Sequence, residues 1–370
     1  MAKYIAVTNA GERIGGSPVS GHAADDWRIG RVRTILARMS TMRVAFLGYG
    51  TVGRALHALL ERTRAALVAE HDITFVIVGI ASRRTGWIAN AQGFAGELAG
   101  GVSCENIQEW LSTARPDVVF EAIALDPHSG EPALTYLRTA LQFGAHAISA
   151  NKGPVVHGYR ALSALAAGAG RAYRFESAVM DGAPLFSLVR SCLPLGGLTA
   201  VRGVFTSTAT VVLEAVERGG SMAEGVVHAQ AMGIAEADPS YDVDGWDSAV
   251  KLCAVANVLL HADLRPADVV RTGIGDLGDN EIRGARAEGA AWRLVGEVRR
   301  ATDGTVRARV GPERLAPTDV LGQVSGTTLA THLEMAMFPG GLTITSRDPD
   351  PTTTAYGMLA DFVSVCGLQP

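Results

Sequence analysis

The chain has 370 residues, of which 48% are hydrophobic and 19% charged, with a formal net charge of -4. That length exceeds what one hydrophobic core usually organises, so two domains are expected, and the aliphatic content excludes a disordered chain. A slightly acidic balance with no basic stripe excludes a nucleic-acid binder, and no stretch approaches the roughly 20 uninterrupted apolar residues that span a bilayer.

In chain order, residues 1 to 41 come first, rich in Gly, Ser and Arg and with a short apolar patch at Tyr4 to Val7. They are expected to be poorly ordered, and they lack the apolar run of a secretory signal. Met39 and Met42 stand just before the first strong strand. A biological start at this point is the leading expectation, and a regulatory tail is the alternative. The four cysteines, Cys104, Cys192, Cys253 and Cys366, are far apart and form no C-x-x-C pair. They read as small buried hydrophobes in a reducing compartment, and the cytoplasm is the expected location.

From Arg43, VAFLGYGTVGRALHALLERT reads as an apolar strand, a glycine-rich turn and an amphipathic helix, followed by a second strand, TFVIVGIAS. DVVFEAIAL is a later buried strand, EPALTYLRTALQFG a helix stopping at Gly144, and HAISANKG another short strand. This alternation implies a parallel sheet in a first domain ending near Gly153. Beyond it, YRFESAV, LTAVRGVFTSTATVVLEAV and LTITS alternate like strands around helices and suggest a second, α+β domain. Ser221 and Glu224 form a capping box that starts a helix which Gly233 stops. The final TAYGMLADFVSV is helical, apolar and able to fold back onto the first domain.

Gly48, Gly50 and Gly53 give G-x-G-x-x-G after a strand and at a helix start. There the first glycine makes the turn, the second admits a pyrophosphate to the backbone and amides of Thr51, Val52 and Gly53 face it, and the third lets helix and strand pack closely. The alternative is a structural turn that merely uses glycine. At the end of the second strand stand Ser82, Arg83 and Arg84 with no acid, which favours NADP over NAD, although two exposed arginines are also an ordinary solvated surface.

The segment GIAEADPSYDVDGWDSAVKL gathers Glu236, Asp238, Asp242, Asp244 and Asp247 before an apolar helix with one cation, Lys251. Asp247 and Lys251 are four residues apart, so they share a helix face within pairing reach. A lysine desolvated among Ala249, Val250, Leu252 and Cys253 is expected to have a lowered pKa and to exchange protons with a substrate hydroxyl near neutrality. The alternative is that Lys251 snorkels to solvent. Asn151 and Lys152 lie at the carboxyl edge of the parallel sheet, where ligands collect. Together, the two lysines can flank a carbonyl oxygen that gains charge as hydride arrives.

ANKGP, FESAVMDGAPL and GIAEADPSYDVDGWDSAVKL resemble the corresponding blocks of homoserine dehydrogenases, over roughly residues 42 to 370. The resemblance implies a Rossmann-type, doubly wound α/β domain over residues 42–153, completed by a C-terminal helix over 350–370. It further implies an α+β catalytic and dimerisation domain over 154–349. The expected activity is NAD(P)H-dependent reduction of L-aspartate 4-semialdehyde to L-homoserine on the way to threonine and methionine, by a homodimer. Carried over, Lys251 is the acid/base with Asp247 its partner, Lys152 joins it at the reacting oxygen, and Lys152 and Asn151 border the cofactor. Glu236 binds the substrate ammonium, with Asp242 and Thr208 in the same pocket. A monovalent cation such as sodium is implied near Glu176, Val179, Asp181 and Ala183, held mainly by backbone carbonyls.

Three departures stand against the pattern. Ser207, within Thr206 to Thr210, replaces a glycine that admits substrate. SRDPDPTTTAYG replaces a glycine-rich segment near the cofactor. No regulatory domain is expected after the last helix, hence no feedback inhibition through one. The alternatives are a relative acting on another small amino or hydroxy acid, or a dinucleotide-binding protein without catalysis. Retention of both Lys152 and Lys251 argues against the second.

Overall fold

The computed structural model describes residues 41–94, 98 and 100–367. The expectations for the N-terminal segment lie outside the described residues, apart from Thr41. The chain runs β1 (Thr41–Leu47), α1 (Thr51–His71), β2 (Thr74–Ser82), β3 (Gly86–Ala89), β4 (Val102–Cys104), α2 (Ile107–Ala114), β5 (Val118–Glu121), α3 (Ala133–Phe143), β6 (His146–Ser149), α4 (Lys152–Gly168) and β7 (Tyr173–Arg174). These seven strands form one sheet in the order β4-β3-β2-β1-β5-β6-β7. Neighbours from β2 to β7 pair in parallel, and β3 and β4 add an antiparallel edge.

Strand periodicity sends alternate residues of β1 to opposite faces. Val44 and Phe46 pack in one cluster with Leu56, Leu60, Met358 and Phe362, whereas Ala45 and Leu47 pack in another with Trp110, Leu111 and Ala140. Burial on both faces is why these strands read as continuous apolar runs. The sheet continues past Gly153, through α4 to β7, so YRFESAV divides: its first two residues are the last strand of this sheet, and Glu176–Ala178 is a 3₁₀ turn.

The rest of the chain forms β8 (Leu198–Val204), α5 (Ser207–Glu217), α6 (Met222–Ala231), α7 (Ser240–Val243), α8 (Trp246–Leu259), β9 (Val270–Arg271), α9 (Asp279–Ala287), β10 (Ala291–Arg300), β11 (Val306–Leu315), β12 (Leu329–Met335), β13 (Phe338–Ser346) and α10 (Pro351–Cys366). Its sheet, in the order β13-β12-β8-β10-β11-β9, is antiparallel except for the β11–β9 pair.

The capping box at Ser221 is present, with Glu224 reaching back, and Gly233 follows the end of α6 at φ +74°. Two expectations are corrected. TSTATVVLEAV is the helix α5 and not a strand: its β-branched residues are buried nearly all round, and burial against α6 and the sheet overrides their extended preference. Of the four cysteines expected inside, Cys104 and Cys253 are buried, but Cys192 is exposed and Cys366 half-buried.

Candidate active site

The glycine turn follows from sterics. Gly48 has φ +100°, and a Cβ there would lie 2.4 Å from the Ala122 carbonyl oxygen; a Cβ on Gly53 would lie 2.3 Å from the Gly48 oxygen. Both positions therefore exclude any side chain. Around Gly50 nothing lies within 4 Å of the position a Cβ would take, so the backbone faces open space at the N-terminus of α1. The first turn of that helix carries no acid, and its outward amides and dipole favour an anion. Thr51 is exposed there, and Val52 is half-buried.

Beside the turn, a cleft of about 370 Å³ is lined by Leu47, Ala81, Ser82, Arg83, Trp87, Ile123, Ala124, Pro132 and Tyr136. Its apolar walls with one guanidinium suit an adenosine, and the residues present fit a dinucleotide. Arg84, read together with Arg83 in the sequence, is exposed and forms no part of that lining.

The carboxyl edge of the same sheet carries Glu121, Ser149 and Asn151. Asn151 is the N-cap of α4, its side chain accepting from the Gly153 amide at 3.0 Å. Lys152 is thus the first residue of a helix, and its Nζ reaches Asp247 Oδ1 at 3.0 Å. Asp247 stands in the first turn of α8, whose N-cap Gly245 is left-handed at φ +82°, and its Oδ2 lies 3.0 Å from Lys251 Nζ. One carboxylate thereby bridges two lysines that belong to different parts of the chain. Their side chains are 18% and 12% exposed, that of Asp247 11%. Lys251 Nζ also donates to the Phe205 carbonyl at 2.6 Å, beyond the end of β8.

The electrostatics correct the expectation of a lowered lysine. Burial pulls the Lys251 pKa down, but the negative charges of Asp247, Asp181 and Asp242 outweigh it and hold it above the ordinary lysine value. Burial likewise works against the Asp247 carboxylate, yet Lys152 and Lys251 keep it well below the usual range. Asp242 moves the other way: burial raises it, and the neighbouring Asp247 charge adds to that.

Thr208 is buried, with Oγ1 2.8 Å from Asp242 Oδ2 and 3.0 Å from the Ile234 carbonyl. Its single proton serves one of them at a time, so this hydroxyl orients Asp242. Tyr241 lies beside the two carboxylates with its buried hydroxyl lacking a hydrogen-bond partner among the described residues. Glu236 is exposed, its carbonyl accepting from Gln230 Nε2.

In the segment FESAVMDGAP, the Glu176 carboxylate accepts from the amides of Phe186 and Ser187, both at 2.7 Å, so a cation there would rely on carbonyls. Val179 is buried, and the Ala183 oxygen already accepts from the Leu185 amide. Asp181, at φ +48°, places its charge where Lys251 feels it. Sequence reasoning missed the Phe205 carbonyl, which carries no residue-type signal. It also missed Glu121, whose signal was an acid ending a wholly apolar strand.

A family model described as homoserine dehydrogenase matches residues 184–363, and one described as the NAD binding domain of homoserine dehydrogenase matches residues 48–176. The NAD(+)-dependent homoserine dehydrogenase of Pseudomonas canavaninivorans is 33% identical over 342 residues, which cover 88% of this chain and 97% of that protein. The homoserine dehydrogenase of Sulfurisphaera tokodaii is 28% identical over 326 residues, covering 87% and 98%. A solved homoserine dehydrogenase from Thiobacillus denitrificans is similar with a TM-score of 0.77 at 26% identity, over 88% of this chain and 73% of that one.

Proposed function

This chain belongs to the homoserine dehydrogenase family, and on that premise we propose how its residues carry the NAD(P)-dependent interconversion of L-aspartate 4-semialdehyde and L-homoserine. The dinucleotide, when bound, supplies the hydride to the aldehyde carbon. Lys251 and Lys152 face the aldehyde oxygen as it gains negative charge, and Lys251 gives it a proton. Asp247 holds both ammonium groups at 3.0 Å and offsets their mutual repulsion. A raised pKa keeps Lys251 protonated until substrate arrives, as a proton donor for reduction requires. Glu236, Asp242 and Thr208 form the pocket for the substrate ammonium, with Thr208 acting through Asp242.

The observation that carries this reading is the bridged Lys152–Asp247–Lys251 cluster. Its test is the absorbance loss of NADPH with L-aspartate 4-semialdehyde, beside Lys251→Ala. Turnover that falls at least about 100-fold in the variant supports the assignment; no turnover in the intact, cofactor-binding protein overturns it.

NADP is the preferred cofactor, because Arg83 lines the adenosine cleft and β2 ends without an acid; a higher kcat/KM with NAD, the cofactor in the name of the Pseudomonas relative, would overturn this. Glu176, Val179, Asp181 and Ala183 are the proposed surroundings of a monovalent cation. The assembly is a homodimer through the second domain, and the compartment is the cytoplasm. Among the described residues, no helix is long and apolar enough to cross a membrane. A second reading, an oxidoreductase for another small amino or hydroxy acid, is favoured by Ser207 at the start of α5 and by the Tyr241 hydroxyl, which has no hydrogen-bond partner among the described residues. Weak homoserine turnover with faster turnover of another acid would select it.

A further inference from the structure

Glu121 is fully buried, yet neither the dinucleotide nor the substrate reading uses it. It ends β5 in register with Ser149, which ends β6. One carboxylate oxygen accepts from the Ile123 amide at 2.9 Å and from Asn151 Nδ2 at 3.3 Å; the other accepts from the Ser149 hydroxyl. Ser149 Oγ in turn accepts from the Asn151 amide at 3.0 Å, and Asn151 Oδ1 accepts from the Gly153 amide at 3.0 Å. The residue between those two held amides is Lys152.

We propose that Glu121 is a positioning residue for the reaction, acting through Ser149 and Asn151 to fix the turn from which Lys152 reaches Asp247. The proposal rests on the reading that Lys152 acts at the reacting oxygen.

Three properties separate this carboxyl from a mere strand terminator. Its donors are two side chains and one loop amide, and both side chains belong to the Ser149–Asn151 turn, so its hydrogen bonds converge on one turn instead of satisfying the sheet. An ionised Glu121 offers only acceptors, so Ser149 donates its single proton to it, with the Asn151 carbonyl at 3.4 Å as the other acceptor in reach. A glutamine that keeps its carbonyl toward Ile123 and Asn151 would present N–H to that hydroxyl and force its proton elsewhere. The turn is also packed without slack, since a Cβ on Gly153 would lie 3.0 Å from Gly130 Cα. A change in hydrogen bonding is therefore passed to the Lys152 backbone and not absorbed.

Burial pushes the Glu121 carboxyl up to about 7, against its hydrogen bonds from Ser149, Ile123 and Asn151. Tyr173 on β7 lies within electrostatic reach, its own pKa raised chiefly by burial and further by the Glu121 charge. Among the described residues no cation forms an ion pair with Glu121. A change in its charge therefore falls on the turn itself.

The test is a double-mutant cycle on the full chain. Steady-state kcat and KM, NADPH affinity by fluorescence and the thermal midpoint are measured for wild type, Glu121→Gln, Ser149→Ala, Lys152→Ala and Glu121→Gln/Lys152→Ala. We expect Glu121→Gln to lower kcat by at least about tenfold with NADPH affinity held within about threefold, and to cost nothing further once Lys152 is gone. The kcat–pH profile of Glu121→Gln should also lose an inflection near neutrality. Ser149→Ala, which cuts the same link from the other end, should reproduce the kcat loss if Glu121→Gln does not fold.

Unchanged kcat in both variants, or a kcat loss of equal size in the Lys152→Ala background, overturns the proposal. Absent turnover in the wild type instead overturns the functional reading on which it rests.

Discussion

At the scale of single residues, the site is organised by one anion. Asp247 was readable as the partner of Lys251, because four residues on a helix is a contact distance. Its second partner was not, since Lys152 comes from another helix and only the docking of α4 on α8 brings the two together. The misjudged lysine has a related cause: its apolar neighbours argue for a lowered pKa, whereas the raising charges are Asp247 and Asp242 from its own acidic segment together with Asp181 from a segment remote in the chain.

The sign is testable. With Lys251 raised, the limb that the lysine sets lies beyond the Glu121 inflection near neutrality: reduction should fall on the alkaline side as the lysine loses its proton, while homoserine oxidation should climb over the same range. Asp247→Asn removes the anion that raises Lys251, so the oxidation limb should move to lower pH, as rate–pH profiles would read. Leaving two buried lysines without their carboxylate should also cost about 3–5 kcal/mol of stability, measured by denaturant unfolding. A limb that does not move would mean that Asp247 does not set the lysine's charge.

At the scale of elements, glycines divide by what they face. Gly50 faces open space and Gly53 faces the Gly48 carbonyl, so Gly50→Val should weaken dinucleotide binding with little change in the thermal midpoint. Gly53→Ala should lower both. Calorimetry and NADPH titration distinguish the two outcomes.

A second close approach joins α10 to the segment after β7. A Cβ on Gly357 would lie 2.5 Å from Gly182 Cα, Ser177 Oγ donates to the Thr354 carbonyl at 2.6 Å, and the Glu176 amide donates to Asp361 at 2.8 Å. Gly357→Ala should therefore cost roughly 1–3 kcal/mol by overpacking, seen as a lower thermal midpoint. The helical nature of TAYGMLADFVSV was legible from its apolar pattern. The small residue at Gly357 was not, because its reason lies on a loop far away in the sequence. The opposite failure occurred at α5, where Thr and Val suggested a strand until burial on all sides made them a helix.

At the scale of the whole molecule, one hydrophobic cluster runs from α3 and α4 through the segment after β7 to α5, α8 and the second sheet. Lys152 and Lys251 sit on α4 and α8, which pack against each other within that cluster, so their separation depends on it.

Buried carboxyls elsewhere tune stability. Burial pushes Asp361 up to about 7, with the Glu176 charge adding to the effect. An acid whose folded pKa is raised keeps its proton in the native state over a range where the unfolded chain has released it. Its stabilising contribution is therefore full below about 4 and is lost as pH rises through about 7. Asp361→Asn should flatten the decline of the thermal midpoint across that window, by an amount equivalent to roughly 2–4 kcal/mol at most. A pH dependence identical to wild type would mean that Asp361 titrates normally.

By itself the sequence determined the repeating strand–helix order, the glycine turn, the capping box at Ser221 and the Asp247–Lys251 spacing. Each of these is a local pattern in which the interacting groups lie within a few residues. Only the tertiary structure decided that Asp247 holds two lysines, that Arg83 and not Arg84 lines the cleft, that the Asp181 charge reaches Lys251, and that Glu121 hydrogen-bonds the turn carrying Lys152. The physical reason is common to all four: charge, hydrogen bonding and access depend on distances between segments remote in the chain, and packing alone sets those distances.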